Sequence, residues 1–176
     1  MEGARTGGGV SALAPARLGA AAALVTAVLD QALKLWVLFV YDLPQKGLVS
    51  VTPFFDLVLV WNTGISYGLF RQDAPWGRWV LLGVSGAAVL LLTWWLVRSS
   101  TRVLSLGLGL IIGGAIGNAI DRLAYGAVAD FVLLHITTAT FSFRWYVFNL
   151  ADAAIVAGVA LLLYDSLTGT DAAKAP

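Results

Sequence analysis

Apolar residues run through this chain in four long stretches, and charged residues gather at their ends. The first stretch extends from about Arg17 to Tyr41. Its core, Leu18–Leu29, has the length of a signal-peptide core, but no small-residue cleavage site follows it. Asp30-Gln31-Ala32-Leu33-Lys34 comes next, and Leu35–Val40 is apolar again, so the pattern predicts an uncleaved spanning helix. The second stretch, Trp79–Val97, is uncharged over 19 residues. That is enough to cross a hydrocarbon core about 30 Å thick. Asp73-Ala74-Pro75 ahead of it is a helix-entry signal. Trp76, Trp79, Trp94 and Trp95 mark its two ends as an aromatic belt would. The third, Val103–Ile120, places Gly109, Gly113 and Gly117 four apart, a face of small residues suited to close helix packing. The fourth runs from about Val147 to Tyr164.

Two segments break this texture. Residues 42–72 hold the β-branched and aromatic runs Leu48–Val51 and Phe55–Trp61, punctuated by Pro44, Gly47 and Pro53. They read as a small β-element ending in the turn Asn62-Thr63-Gly64. Residues 122–147 read as a second external loop, containing Asp130, His135 and a Thr-rich turn. Residues 1–16 look like a disordered leader and 166–176 like a disordered tail, with one membrane domain over 17–165 between them. Arg98-Ser99-Ser100-Thr101-Arg102 is a short loop with two positive charges and no negative ones. It reads as cytoplasmic, which puts both termini on that side and the segments 42–72 and 122–147 on the extracytoplasmic side.

Composition turns this pattern into a class. Of 176 residues, 59% are hydrophobic and 12% charged, with mean hydropathy +0.84; soluble domains carry about 25% charged residues. The fold class expected is an α-helical integral membrane protein of four transmembrane helices, with a small extracytoplasmic β-element and a second extracytoplasmic segment. A net charge of +1 gives no sign of a nucleic-acid partner. The absence of cysteine removes disulfides, thiolate metal sites and a Cys nucleophile. One histidine, His135, argues against a multi-His metal centre. No cofactor is expected, and carboxylate chemistry remains, with serine-based chemistry behind it.

The carboxylates are placed unevenly. Asp30, Asp42, Asp56, Asp73, Asp121, Asp130 and Asp152 all fall on the outer side. Asn118, Asp121 and Arg122 share a face of the third span, and Asn149 and Asp152 share one on the fourth. Asp30 and Lys34 share a face of the first, either as a snorkelling lysine with a partner or as a brace for a site. Arg122 most simply pairs with Asp121, leaving Asp121 a helix-end role. Asp152 differs, because it enters an apolar span with no Lys or Arg within four residues and needs a partner from elsewhere. If Asp130 meets it, two carboxylates sharing a proton can activate water and protonate a leaving group. That chemistry suits a peptide at the membrane surface.

Four blocks then resemble one family: Asp30-Gln31-x-x-Lys34, Asn62-x-Gly64, Gly117-Asn118-x-x-Asp121-Arg122 with Asp130-Phe131, and Phe148-Asn149-x-Ala151-Asp152. In this order among four spans they resemble the lipoprotein signal peptidases (signal peptidase II), bacterial aspartic membrane peptidases. The resemblance implies a multi-pass protein of the cytoplasmic (inner) membrane, with its active site at the extracytoplasmic face. It implies Asp130 and Asp152 as the catalytic pair, and Asp30, Lys34, Asn62, Gly64, Asn118, Asp121, Arg122 and Asn149 as supporting or substrate-contacting residues. It implies as substrate a diacylglyceryl-modified prolipoprotein, cut just before the modified Cys among membrane lipid by a monomer that a globomycin-type cyclic peptide inhibits. The chain departs from the pattern at Ile65-Ser66-Tyr67 and in a long stretch between Asp130 and Asp152. Rival readings are a rhomboid-type serine peptidase using Gly83-Val84-Ser85-Gly86 with His135, a small ion-coupled transporter using Asp30 and Asp152, and a non-enzymatic assembly protein.

Overall fold

The computed structural model describes residues 9–64 and 76–172. Each apolar stretch is a helix long and apolar enough to cross a membrane: Pro15–Val40, Gly77–Leu96, Arg102–Tyr125 and Leu150–Thr168. In chain order, α1 (Gly9–Leu35) widens into a π-helical turn (Trp36–Val40) and is followed by short α2 (Leu43–Lys46). Next come β1 (Val49–Thr52), β2 (Phe55–Asn62), α3 (Gly77–Leu96), α4 (Arg102–Tyr125), β3 (Val128–Thr137), β4 (Ser142–Arg144) and α5 (Leu150–Ala172). The expected Asn62–Gly64 turn is present, with the Gly64 amide donating to Asn62 Oδ1 at 3.0 Å. Ile65-Ser66-Tyr67 lies outside the described residues.

Helix α4 is the hub, and α1, α3 and α5 all pack on it. Half of its most apolar window is buried inside the protein, against 11% for α3 and α5. Its small residues are why. A Cβ on Gly113 would stand 2.5 Å from the Ala23 carbonyl of α1, and one on Gly114 would stand 2.5 Å from the Ala151 carbonyl of α5. Backbones this close gain dispersion contacts that hydrocarbon cannot supply. Leu24, Val28, Leu90, Leu91, Trp94 and Leu163 are exposed on the outer faces, as lipid-facing side chains should be.

The β-element is larger than the sequence pattern predicts. Residues 122–147 are no loop: α4 continues to Tyr125, Gly126 (φ 80°) ends it, and β3 and β4 follow. One four-stranded antiparallel sheet results, in the order β1-β2-β3-β4. Val128–Leu133 carries the β-branched and aromatic residues of a strand buried on both faces, and Val128 to Phe131 are all buried. Asp130 therefore sits on a strand. The ends differ as well. Residues 9–16 begin α1, since Val10–Ala14 is mostly good helix former and Pro15 lies within the first turns. Residues 166–172 continue α5, with no proline to stop them and the Thr168 hydroxyl donating to the Tyr164 carbonyl at 2.8 Å.

Candidate active site

The polar residues singled out in the sequence converge where α1, α4, α5 and β3 meet. Lys34 is buried to 1% exposure and does not snorkel. Its ammonium lies 2.8 Å from Asp30 Oδ2 and 2.9 Å from Asp121 Oδ2, and donates to Asn118 Oδ1 at 3.1 Å. All three of its protons are used. Two carboxylates to one ammonium leaves a surplus negative charge in a buried place, and backbone N–H groups offset it. Asp30 Oδ1 accepts from the Ala151 amide at 2.9 Å, at the positive N-terminus of α5. Asp121 Oδ2 accepts from the Ala129 amide at 3.0 Å, fixing the strand residue beside Asp130. Gly117 has no Cβ because Asp30 fills that space. Removing one member of such a cluster leaves an unpaired buried charge, at about 3–5 kcal/mol.

Asp152 owes its place to helix-capping chemistry. The Asp152 amide donates to Asn149 Oδ1 at 3.0 Å, and the Asn149 amide donates back to Asp152 Oδ2 at 3.1 Å. This is a capping box that opens α5. Asp152 Oδ1 stays free of it and accepts from Asn118 Nδ2 at 2.9 Å. Asn118 is the partner that Asp152 lacks on its own helix.

Asp130 is placed by strand register. Val60 stands opposite Asp130 and Asn62 opposite Val128, so Asn62 is a diagonal neighbour on the Asp130 face. Its amide donates to Asp130 Oδ2 at 3.0 Å. Asn149 Nδ2 donates to Asp130 Oδ1 at 2.7 Å and to Asn118 Oδ1 at 3.1 Å. One chain of amides, Asn118 and Asn149, thus joins the two carboxylates. Phe148 is bonded to β3 as well, accepting from the Val132 amide at 2.8 Å and donating to the Val132 carbonyl at 3.0 Å. This bridge clamps the start of α5 to the strand that carries Asp130. Burial first, and then the charge of Asp152, raise the Asp130 carboxyl from 3.8 to about 7.

Arg122 does not pair with Asp121 as expected, because Lys34 and Gln31 already hold that carboxylate. Its guanidinium donates to the Gly64 carbonyl at 3.1 Å and the Asn118 carbonyl at 3.4 Å, tying the end of the β2 turn to α4. A residue the sequence reading passed over is Gln31, whose amide reaches Asp121 Oδ1 at 2.9 Å and the Gly117 carbonyl at 3.0 Å. Its signal was its seat between Asp30 and Lys34. A cavity of about 330 Å³ opens on the cluster between α3 and α5, floored by α4, with Asn62, Asn118, Arg122 and Asp152 in its wall. Ser85 also lines it, whereas His135 lies 3.0 Å from Asp56 and lines a separate aromatic cavity with Phe54 and Trp145. The Ser–His pair that a rhomboid reading needs is not formed.

Comparison with known proteins bears on what this cluster serves. The family Signal peptidase (SPase) II matches residues 22–168. The chain belongs to the signal peptidase II family. It is therefore an enzyme, a membrane peptidase of lipoprotein processing. The lipoprotein signal peptidase of Nitrobacter hamburgensis is 62% identical over 93% of this chain and 100% of its own length. That of Rhodopseudomonas palustris is 58% identical with the same coverage. A solved bacterial membrane enzyme superposes with a TM-score of 0.74 over 90% of this chain and 92% of its own, at 22% identity, a likeness of fold. In this signal peptidase II every supporting residue implied by the sequence blocks reaches the one cluster.

Proposed function

We propose that this signal peptidase II cleaves diacylglyceryl-modified prolipoproteins just before the modified Cys, using water activated between Asp130 and Asp152. The observation that carries this reading is the amide-linked pair of carboxylates, Asp152 in the wall of the cavity between α3 and α5 and Asp130 buried behind Asn62 and Asn149 with its carboxyl raised to about 7. Below about pH 7 Asp130 carries the shared proton. The pair removes a proton from water as it attacks the scissile carbonyl, and returns one to the leaving amine. Asn62, Asn118 and Asn149 orient the carboxylates. Asp30, Lys34 and Asp121 hold the three elements together, and Arg122 with Gly64 holds the turn beside the substrate.

The cavity lies between two helices rather than in a sealed core, so a lipid-anchored substrate can reach it sideways from the bilayer. The short basic loop Arg98–Arg102 supports a cytoplasmic location for that end and for both termini. The cluster is then at the extracytoplasmic face of a bacterial inner membrane. On this reading the enzyme acts as a monomer, and a cyclic peptide of the globomycin type inhibits it by occupying the cleft. The deciding experiment is cleavage of a synthetic diacylglyceryl precursor peptide by purified protein. Asp130→Asn and Asp152→Asn should each lower kcat at least ~1,000-fold, the range for losing acid–base and nucleophile activation together, with substrate still bound. Turnover within tenfold of wild type in either variant would remove the dyad.

A further inference from the structure

Ser85 is a polar residue in the cleft wall that the proposed dyad chemistry leaves without a task. It lies on α3 among apolar lining residues, Leu81 and Val84 beside it and Ile155 and Val156 across from it on α5. A serine inside a membrane helix ordinarily donates to the carbonyl four residues back. Among the described residues the Ser85 hydroxyl has no such partner. A lone donor facing an apolar cleft is costly unless something that enters the cleft accepts from it.

The cleft says what enters. Ser85 shares its wall with Asn118 and Asp152. An occupant that reaches the carboxylates from between α3 and α5 therefore passes the Ser85 hydroxyl. We infer that the Ser85 hydroxyl is a specificity-determining donor that hydrogen-bonds a substrate carbonyl in the membrane-embedded part of the cleft. Two carbonyls of the substrate can reach it: a peptide carbonyl of the signal segment upstream of the cut, or an acyl ester carbonyl of the diacylglyceryl group.

The inference rests on the proposed substrate and dyad. The test therefore carries wild type and Asp130→Asn as controls, whose cleavage and non-cleavage report on that reading whatever Ser85 does. Purified protein in bilayers is assayed on a diacyl ester precursor peptide and on its dialkyl ether analogue, with variants Ser85→Ala, Ser85→Val and Ser85→Thr. Ser85→Ala and Ser85→Val should raise KM for the ester substrate about 5–20-fold, the worth of one hydrogen bond in a water-poor site, with kcat within twofold. Ser85→Thr keeps the hydroxyl and should stay near wild type. If the wild-type KM for the ether substrate already matches that of Ser85→Ala, the acceptor is the ester carbonyl. If Ser85→Ala raises KM equally on both substrates, it is the peptide carbonyl. A KM within twofold of wild type for Ser85→Ala on both substrates would overturn the inference. So would a loss confined to kcat, or a Ser85→Thr as impaired as Ser85→Ala at unchanged melting temperature.

Discussion

At the scale of single residues, the site depends on what surrounds each carboxylate more than on the carboxylates themselves. Asp30, Asp121, Asp130 and Asp152 are chemically alike, yet they have different environments. Asp30 and Asp121 share an ammonium and accept backbone amides. Asp130 is buried first of all, lies beside the charge of Asp152, and accepts from neutral amides, so its carboxyl is raised to about 7. The sequence alone could not separate these roles, because they depend on which side chains meet across helices far apart in the chain. What it did carry was the anomaly of Asp152, an unpaired acid entering an apolar span. The environment also fixes a pH effect. The Asn62 amide favours the charged form of Asp130 and so lowers its proton affinity. In Asn62→Ala that pull is gone and Asp130 must hold its proton to still higher pH. If the protonated Asp130 is the working form, the alkaline limb of kcat/KM moves upward from about 7, beside a loss of rate. A pH–rate profile of wild type and Asn62→Ala measures this, and a limb that stays put or moves to lower pH would contradict it.

Among the elements, the one decisive irregularity is a β-bulge in β2. Leu57 pairs with Val132, but Val60 pairs with Asp130, so β2 spends one residue more than β3 between the two pairs. Paired straight on from Leu57, the same sequence would put Leu59 and Trp61 on the face of Asp130 and turn Asn62 the other way, because strand faces alternate with a period of two. The run Phe55–Trp61 announced a strand, and Asn62-Thr63-Gly64 a turn. Neither betrays the bulge, since no glycine marks it. For the same reason β3 was mistaken for a loop: its pairing partner is β2, more than sixty residues earlier. Inserting one alanine between Val60 and Trp61 tests the register. Val60 still pairs with Asp130, but Asn62 moves to the other face and Trp61 takes its place opposite Val128. Peptidase activity should fall at least ~100-fold, as a misplacement of about 1 Å or more at a catalytic group can do, while the melting temperature changes by only a few degrees. Near-normal turnover of the insertion variant would show that register does not set the dyad.

For the molecule as a whole, the arrangement is a hub with three satellites, and the geometry of the proposed dyad depends on how closely two of them approach it. The four spans and the glycine face of α4 were readable in the sequence, because hydropathy and small-residue spacing are local signals. Which glycine serves which neighbour was not, since that depends on crossing geometry. Gly114 is the informative one. Its missing Cβ lets the Ala151 carbonyl of α5 come within 2.5 Å of where that atom would be, one residue before Asp152. Ala151 is itself fully buried, and its amide is held by Asp30. A side chain at 114 therefore pushes away the turn of α5 that carries Asp152, and pulls against the Asn118 and Asn149 contacts that align the pair. Gly83 on α3 is the matched control, with nothing within 4 Å of an added Cβ. Gly114→Val should lower kcat at least ~100-fold and the melting temperature by several degrees, in line with about 1–3 kcal/mol for overpacking a close contact. Gly83→Val should leave kcat within twofold and stability unchanged or slightly raised, since valine holds a helix better than glycine. Cleavage kinetics and thermal unfolding of the two variants side by side decide the matter. Equal losses in both would mean that helix propensity, and not the approach of α5 to α4, governs the position of Asp152.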